Sequence, residues 1–342
     1  MNKVNVAIVG ATGAVGTKIL EKLLERDFPV QSIKLLASKR SAGTEITAGG
    51  QTYIVEETVP ESFEGVDIAF FSAGGSISEK FAAEAVKRGT VVIDNTSAFR
   101  MVENIPLVVP EVNPEALNNH TGIIANPNCS TIQMVTALQP VKEKYGLSRI
   151  IVSTYQAVSG AGAEAIDELN NQSQQFEGRV SNEAAILPSA SAEKHYPIAF
   201  NAIPQIDAFD ASGYTLEELK MMNETKKIFG DYDMSVTATC VRLPIVTGHS
   251  ESVYIEIDTE EVTVEELRAS MASASGVVIQ DDPGNQLYPM PLFAEGKDEV
   301  FVGRIRKDPK QRGGFHMWIV SDNLLKGAAL NSVQIAEKLI QQ

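Results

Sequence analysis

Val4-Asn5-Val6-Ala7-Ile8-Val9-Gly10-Ala11-Thr12-Gly13-Ala14-Val15-Gly16 decides how this chain is read. A short apolar run enters a glycine turn directly. Residues 15–26 then place Val15, Ile19, Leu23 and Leu24 on one stripe, with Lys18, Glu21, Lys22 and Glu25 opposite. Strand, turn and amphipathic helix in that order are the context of a dinucleotide fingerprint. Glycines let the backbone approach a pyrophosphate, and the free N–H groups of the helix start meet its charge. Gly10, Thr12, Gly13, Ala14 and Val15 are the expected contacts. The spacing G-x-x-G-x-x-G makes the turn one residue longer than the usual G-x-G-x-x-G. A glycine turn that holds no ligand is the alternative.

Outward from that stretch, Ser32 to Ala37, Asp67 to Ser72, Thr90 to Asp94 and Ile123 to Ala125 read as further buried strands, and residues 77–88 as a second amphipathic helix. Alternation of this kind builds a parallel, doubly wound sheet. An acid at the end of the second strand would hold the ribose 2′-OH of NAD. Here the chain reads Ala37-Ser38-Lys39-Arg40-Ser41, with two bases and no acid. Arg40 is suited to bracket a 2′-phosphate while Ser38 or Ser41 donates a hydroxyl, so NADP is the expected cofactor. The alternative is an ordinary solvated Lys-Arg pair. Ser72 and Gly74, at the end of another parallel strand, are expected to cover the cofactor's phosphates or nicotinamide.

Beyond residue 129 the pattern changes. Ile150 to Gln156, Ser235 to Val241, Ser252 to Ile257, Val300 to Ile305 and Phe315 to Val320 alternate like strands of a sheet covered on one face. Asn323 to Gln342 carries apolar residues at helical spacing and should be one long helix returning to the first domain. Residues 170–195 and 280–298 lack periodicity and read as surface excursions. The expected division is a nucleotide-binding domain over 1–128, completed by 323–342, and a mixed α/β catalytic and dimerisation domain over 129–322. With 342 residues the chain suits two domains of about 100–200 residues each.

Net charge is −15, with 44% hydrophobic and 21% charged residues. That balance excludes disorder and disfavours nucleic acid and anionic membranes as partners. No apolar run approaches a membrane span, and the chain enters its first strand without a leader-like h-region, so a cytoplasmic protein is expected. No metal site is expected. The two cysteines, Cys129 and Cys240, are too few for a disulfide framework. Cys240 lies inside an alternating strand and reads as structural. Cys129, in Asn126-Pro127-Asn128-Cys129-Ser130-Thr131, sits between a short strand and an amphipathic helix beginning near Ser130. A thiolate at a helix start is stabilised by the dipole and free N–H groups, which makes it a nucleophile; a buried inert thiol is the alternative. Of the four histidines, His249 is favoured as acid–base group, in a loop between two strands, over His120, His195 and His316.

The nucleotide turn, Asn128-Cys129-Ser130-Thr131, Gln156-Ala157-Val158-Ser159-Gly160-Ala161-Gly162, Glu224-Thr225-Lys226-Lys227, Arg242 to His249 and Ser321-Asp322-Asn323 follow one another in an order that resembles the aspartate-semialdehyde dehydrogenase family over essentially the whole chain. That resemblance implies that Cys129 is the nucleophile, His249 moves the proton and Gln156 orients the acyl group. It also implies that Arg242 and Glu224 grip the substrate's α-carboxylate and α-amino group, that Arg100 and Lys227 hold phosphate with Asn128 close by, and that Ser159, Gly160 and Asn323 touch the nicotinamide side of NADP. The implied reaction interconverts 4-aspartyl phosphate and aspartate 4-semialdehyde, in the biosynthesis of lysine, threonine and methionine, by a homodimer or homotetramer. The rivals are another phosphorylating semialdehyde dehydrogenase, acting on N-acetylglutamyl phosphate or glyceraldehyde phosphate, and a paralogue that has lost the chemistry. Glu224 opposite Arg242, a partner for a free amine, speaks against the first, and the presence of Cys129, Gln156 and His249 against the second.

Overall fold

The computed structural model describes residues 3–174, 183–259 and 261–341. The chain divides into two units, one of Met1–Asn128 with Ala328–Gln342, the other of Cys129–Gly327.

The first unit runs β1 (Val4–Val9), α1 (Ala14–Glu25), β2 (Val30–Ala37), β3 (Glu45–Ala48), β4 (Gln51–Glu57), β5 (Ile68–Phe71), α2 (Gly75–Lys87), β6 (Val91–Asp94) and β7 (Ile123–Ala125). They form one sheet in the order β3-β4-β2-β1-β5-β6-β7, parallel except for the β3–β4 hairpin. Burial on both faces explains the unbroken apolar run of β1. Val6 and Ile8 face a cluster with Ile19, Leu20 and Leu23 of α1; Ala7 and Val9 face Phe71, Phe81 and Ala85 on the other side. Each Val, Ile, Leu or Phe among them, fully buried, contributes about 1.5–3 kcal/mol. Apolar alternation does not mark β3 and β4, whose turn at Gly49 and Gly50 takes two positive φ values, 57° and 75°, as a two-residue hairpin turn requires.

The second unit holds α3 (Cys129–Tyr145), β8 (Arg149–Gln156), α4 (Ala163–Gln174), α5 (Leu216–Phe229), β9 (Ser235–Arg242), β10 (His249–Glu256), α6 (Val264–Ala272), β11 (Val277–Ile279), α7 (Pro291–Ala294), β12 (Val300–Lys307) and β13 (Gly314–Ser321). Its mixed sheet has the order β11-β12-β13-β10-β8-β9. One face packs against α3, α5 and α6 through Leu138, Val141, Met221, Leu267 and Met271. α3 is not amphipathic: Ser130 to Leu138 are all buried. The expected excursion at 170–195 begins inside α4, and Leu187 joins Ile198 in a small satellite core; residues 175–182 lie outside the described residues.

The expected single helix over 323–342 is instead a π-helical turn, Leu325–Ala329, followed by α8, Leu330–Leu339; Gln342 lies outside the described residues. The chain passes to the first unit at Ala328, not at 323, because Asp322 and Asn323 are tied into the second. Asp322 accepts from Gly296 N at 2.8 Å and from Leu324 N at 2.8 Å, and Asn323 accepts from Gly248 N at 2.9 Å. α8 then packs Val333 and Ala336 on the α1 side of the first sheet.

Candidate active site

Strand register assembles the site. On the inner face of the second sheet Arg242 pairs with Gln156 and His249 with Ser321, while Thr154 pairs with both Cys240 and Glu251. Directly opposed residues share a face. The row that ends β9, ends β8, opens β10 and ends β13 therefore reads Arg242, Gln156, His249, Ser321. His249 is the first residue of β10, not a loop residue, and is 0% exposed.

Cys129 opens α3 and is half-buried. It lies within electrostatic reach of Arg242, whose guanidinium burial pushes down while Glu217 and Cys129 hold it charged. Gly327 is packed so closely that a Cβ there would sit 2.8 Å from Cys129 Cβ. Arg242 Nη1 donates to the Ala157 carbonyl at 2.6 Å, and its Nε, buried, has no partner among the described residues. Between Arg242 and the His249 ring stands Gly160. A Cβ on it would meet Arg242 Nη1 at 3.0 Å and His249 Nε2 at 3.3 Å, so glycine keeps that space open.

The protonation of His249 follows from its partners. Ala157 N–H donates to Nδ1 at 3.1 Å, so the neutral ring carries its proton on Nε2. Nε2 is buried and has no partner among the described residues. Burial, then the Arg242 charge, hold His249 at about 3, far below its ordinary value. The ring is therefore neutral, with an Nε2–H available to donate. Ser159 and Asn323 bind each other, Nδ2 to Oγ at 3.0 Å. With Gly248 N on its oxygen, Asn323 latches the two turns that flank His249.

Glu217 was missed in the sequence. It is 5% exposed and accepts from Gln156 Nε2 at 3.2 Å, and its charge acts on both Arg242 and His249. Lys220 reaches Glu217 at 3.3 Å and Asp207 at 3.0 Å. α5 meets β9 at Met221, whose Sδ lies 3.8 Å from Cys240 Sγ, and Glu224 lies two turns, about 10 Å, beyond Glu217 along the helix. Glu224 is buried and acts on Lys227, which burial pushes below its ordinary value. Cys240 is fully buried, and burial raises its thiol.

In the first unit Arg100 is 8% exposed and donates to Asn126 O at 2.9 Å and Asn95 O at 2.8 Å. It is thus fixed to the segment that leads, through buried Asn128, to Cys129 in sequence. A cleft of about 500 Å³ is lined by Gly10, Thr12, Gly13, Ser38, Lys39, Arg40, Ser41, Glu57, Ser72 and Lys80, among others. Gly10 has φ 87°, and a Cβ on it would lie 2.9 Å from Ala73 N; one on Gly16 would strike the Gly10 carbonyl. Ala14 and Val15 open α1 behind Gly13, which gives it no side-chain cap, so first-turn N–H groups are left for an anion. The Val15 side chain itself packs on the apolar cluster. Gly74 caps α2 with φ 94° and does not line the cleft. A glycine turn open at Gly10 and Gly13, free helix N–H groups and a basic rim fit a dinucleotide. Among the described residues no group of three or more acids, histidines and cysteines is placed to hold a metal ion, and no helix is long and apolar enough to cross a membrane.

The family described as semialdehyde dehydrogenase, NAD binding domain, matches residues 5–120, and that described as semialdehyde dehydrogenase, dimerisation domain, matches 138–326. Fold and site thus define a semialdehyde dehydrogenase. The aspartate-semialdehyde dehydrogenase of Bacillus subtilis is 64% identical over 335 residues, 98% of this chain and 97% of that protein. The Aquifex aeolicus enzyme of the same name is 54% identical over 98% of each chain. The crystal structure of aspartate semialdehyde dehydrogenase II from Vibrio cholerae superposes with a TM-score of 0.94 at 46% identity, covering 100% of this chain and 99% of that one. The chain belongs to the aspartate-semialdehyde dehydrogenase family.

Proposed function

We propose that this chain interconverts 4-aspartyl phosphate and aspartate 4-semialdehyde, using NADP and a thioester on Cys129, as a step of amino-acid biosynthesis. The observation that carries the reading is the row Arg242, Gln156 and His249 beside a helix-start cysteine, in a chain of this family. A Vibrio cholerae relative is known complexed with ASA, and a Candida albicans relative with NADP. The dimerisation domain supports a homo-oligomer.

In the reductive direction the Cys129 thiolate attacks the acyl carbon, the bond from that carbon to the phosphate oxygen breaks, and the departing phosphate takes up the net proton. His249 Nε2–H donates to the acyl oxygen as it gains charge. Arg242, with its free Nε, grips the α-carboxylate, and Glu217 the α-ammonium group. Arg100 takes the phosphate. When bound, the nicotinamide supplies a hydride to the thioester carbon. The tetrahedral adduct then collapses, releasing aldehyde and the Cys129 thiolate. No step requires His249 to hold a second proton. The test is NADP⁺ reduction by aspartate semialdehyde with and without phosphate. Activity only with phosphate is expected; phosphate-independent turnover, or preference for an N-acetylated semialdehyde, would overturn the reading.

Glu217, not Glu224, is expected to hold the amine. Glu217→Gln should lower kcat/KM for the semialdehyde about 30-fold, the scale of one charged hydrogen bond, and Glu224→Gln by less than about threefold. The reverse ranking in steady-state kinetics would reassign the role. For the cofactor, the Ser38 to Ser41 rim supports NADP, although Glu57 also lines the cleft. Arg40→Ala is expected to raise KM for NADP at least about tenfold and leave KM for NAD unchanged; an equal effect on both would make Arg40 a bystander.

A further inference from the structure

Behind the site the inner face of the sheet continues into a second row. Glu251 follows His249 by two residues on β10, so both side chains leave the same face, and its cross-strand neighbours are Thr154 and Ile319. It is 0% exposed, and neither carboxyl oxygen meets hydrogen-bond geometry with any described residue. Gln133, one turn after Cys129 on α3, is the polar side chain that acts on it, as a donor whose effect burial outweighs. The Gln133 amide is already directed: Nε2 donates to the His249 carbonyl at 3.4 Å, and Oε1 accepts from Ser321 Oγ at 2.8 Å.

The ionisable groups around Glu251 are His249 on its own strand, Cys240 on β9, and Glu217 and Glu218 on α5; the three acids together act on Cys240. From α3, β8 and β13 come the uncharged Gln133, Thr154, Ile319 and Ser321. No cation is among the described groups that act on Glu251. A carboxylate buried without a cation or a full set of donors does not persist, and the group keeps its proton instead. Burial accordingly pushes it well above its ordinary value.

We propose that Glu251 is a positioning residue that works as a neutral carboxylic acid, its carbonyl oxygen facing the Gln133 Nε2–H as acceptor and so holding the amide that fixes the His249 main chain. The inference rests on His249 being the donor of the active site. With the acid in place, Gln133 keeps Nε2 toward the His249 carbonyl. Without it the amide is free to turn over, and the row loses its register.

The test joins spectroscopy to kinetics on the full chain. The infrared difference between wild type and Glu251→Gln at pH 8 should contain a protonated-carboxyl C=O band belonging to wild type. Glu251→Gln, which keeps a carbonyl acceptor, should keep kcat within about threefold and leave the pH profile unmoved. Glu251→Leu should lower kcat about tenfold, the scale of one neutral hydrogen bond, with KM for NADP unchanged. A wild type without that band, or Glu251→Leu with wild-type kcat, overturns the proposal. Should Glu251→Leu not fold, the band and the Glu251→Gln profile decide alone. The band needs no turnover, so its absence is distinguishable from a failure of the proposed activity.

Discussion

Cys129→Ser is expected to abolish turnover, lowering kcat on the order of 10⁴-fold or more, while cofactor affinity and Tm stay near wild type. A covalent route loses nearly everything with its nucleophile. A serine hydroxyl at a helix start is not ionised near neutral pH, whereas a thiol there, with the Arg242 guanidinium in reach, is readily made a thiolate. The side chain is slightly smaller, so the close packing on Gly327 is not strained, and loss of activity cannot be ascribed to misfolding. Iodoacetamide provides an independent reading. It should label Cys129 and spare Cys240, whose Sγ is sealed against Met221 and whose thiol burial raises. Substantial turnover in Cys129→Ser, or inactivation that maps by mass spectrometry to Cys240, would remove the thioester from the mechanism.

The parallel sheet was legible because burial on both faces leaves a continuous apolar run, as at Val6 to Val9. The cysteine was legible because polar residues at a strand-to-helix turn are unusual company for a core thiol. The β3–β4 hairpin was hidden by polar edge residues, with Ile54 63% exposed, although Gly49-Gly50 marks its turn. The start of β10 was hidden for the opposite reason. Its inward residues there are His249 and Glu251, which break the apolar alternation that identifies a strand. α5 announces itself through the capping box of Thr215 and Glu218, but which of its acids meets the row depends on how the helix lies on β9. That register is tertiary, so the Glu-Thr-Lys-Lys segment drew attention to Glu224, and the contact of Glu217 with Gln156 could be read only from the fold.

His249→Asn should lower kcat about 10²- to 10³-fold, the range for removal of a donor aimed at a developing oxyanion, with a smaller change in KM. The pH dependence separates this donor from a proton mover. Because the wild-type ring stays neutral down to about pH 3, kcat should show no acid limb from His249 between pH 6 and 7; a limb there that vanishes in His249→Asn would restore the acid–base role. Stability gives a second sign. The folded value lies near 3 and the ordinary value is 6.5, so between them the unfolded chain binds more protons. The His249 contribution is fully present above about pH 6.5 and is lost as pH falls toward 3. His249→Asn removes that slope, and the variant should gain in Tm relative to wild type on going from pH 7.5 to 4.5. Glu251, raised above its ordinary 4.5, slopes the other way: its contribution is present at low pH and is lost as pH rises. Glu251→Gln should therefore gain on wild type toward alkaline pH. Opposite pH trends in two variants two residues apart on one strand would be hard to obtain from a uniform loss of packing, and follow directly from one neutral base and one neutral acid buried on the same face of β10.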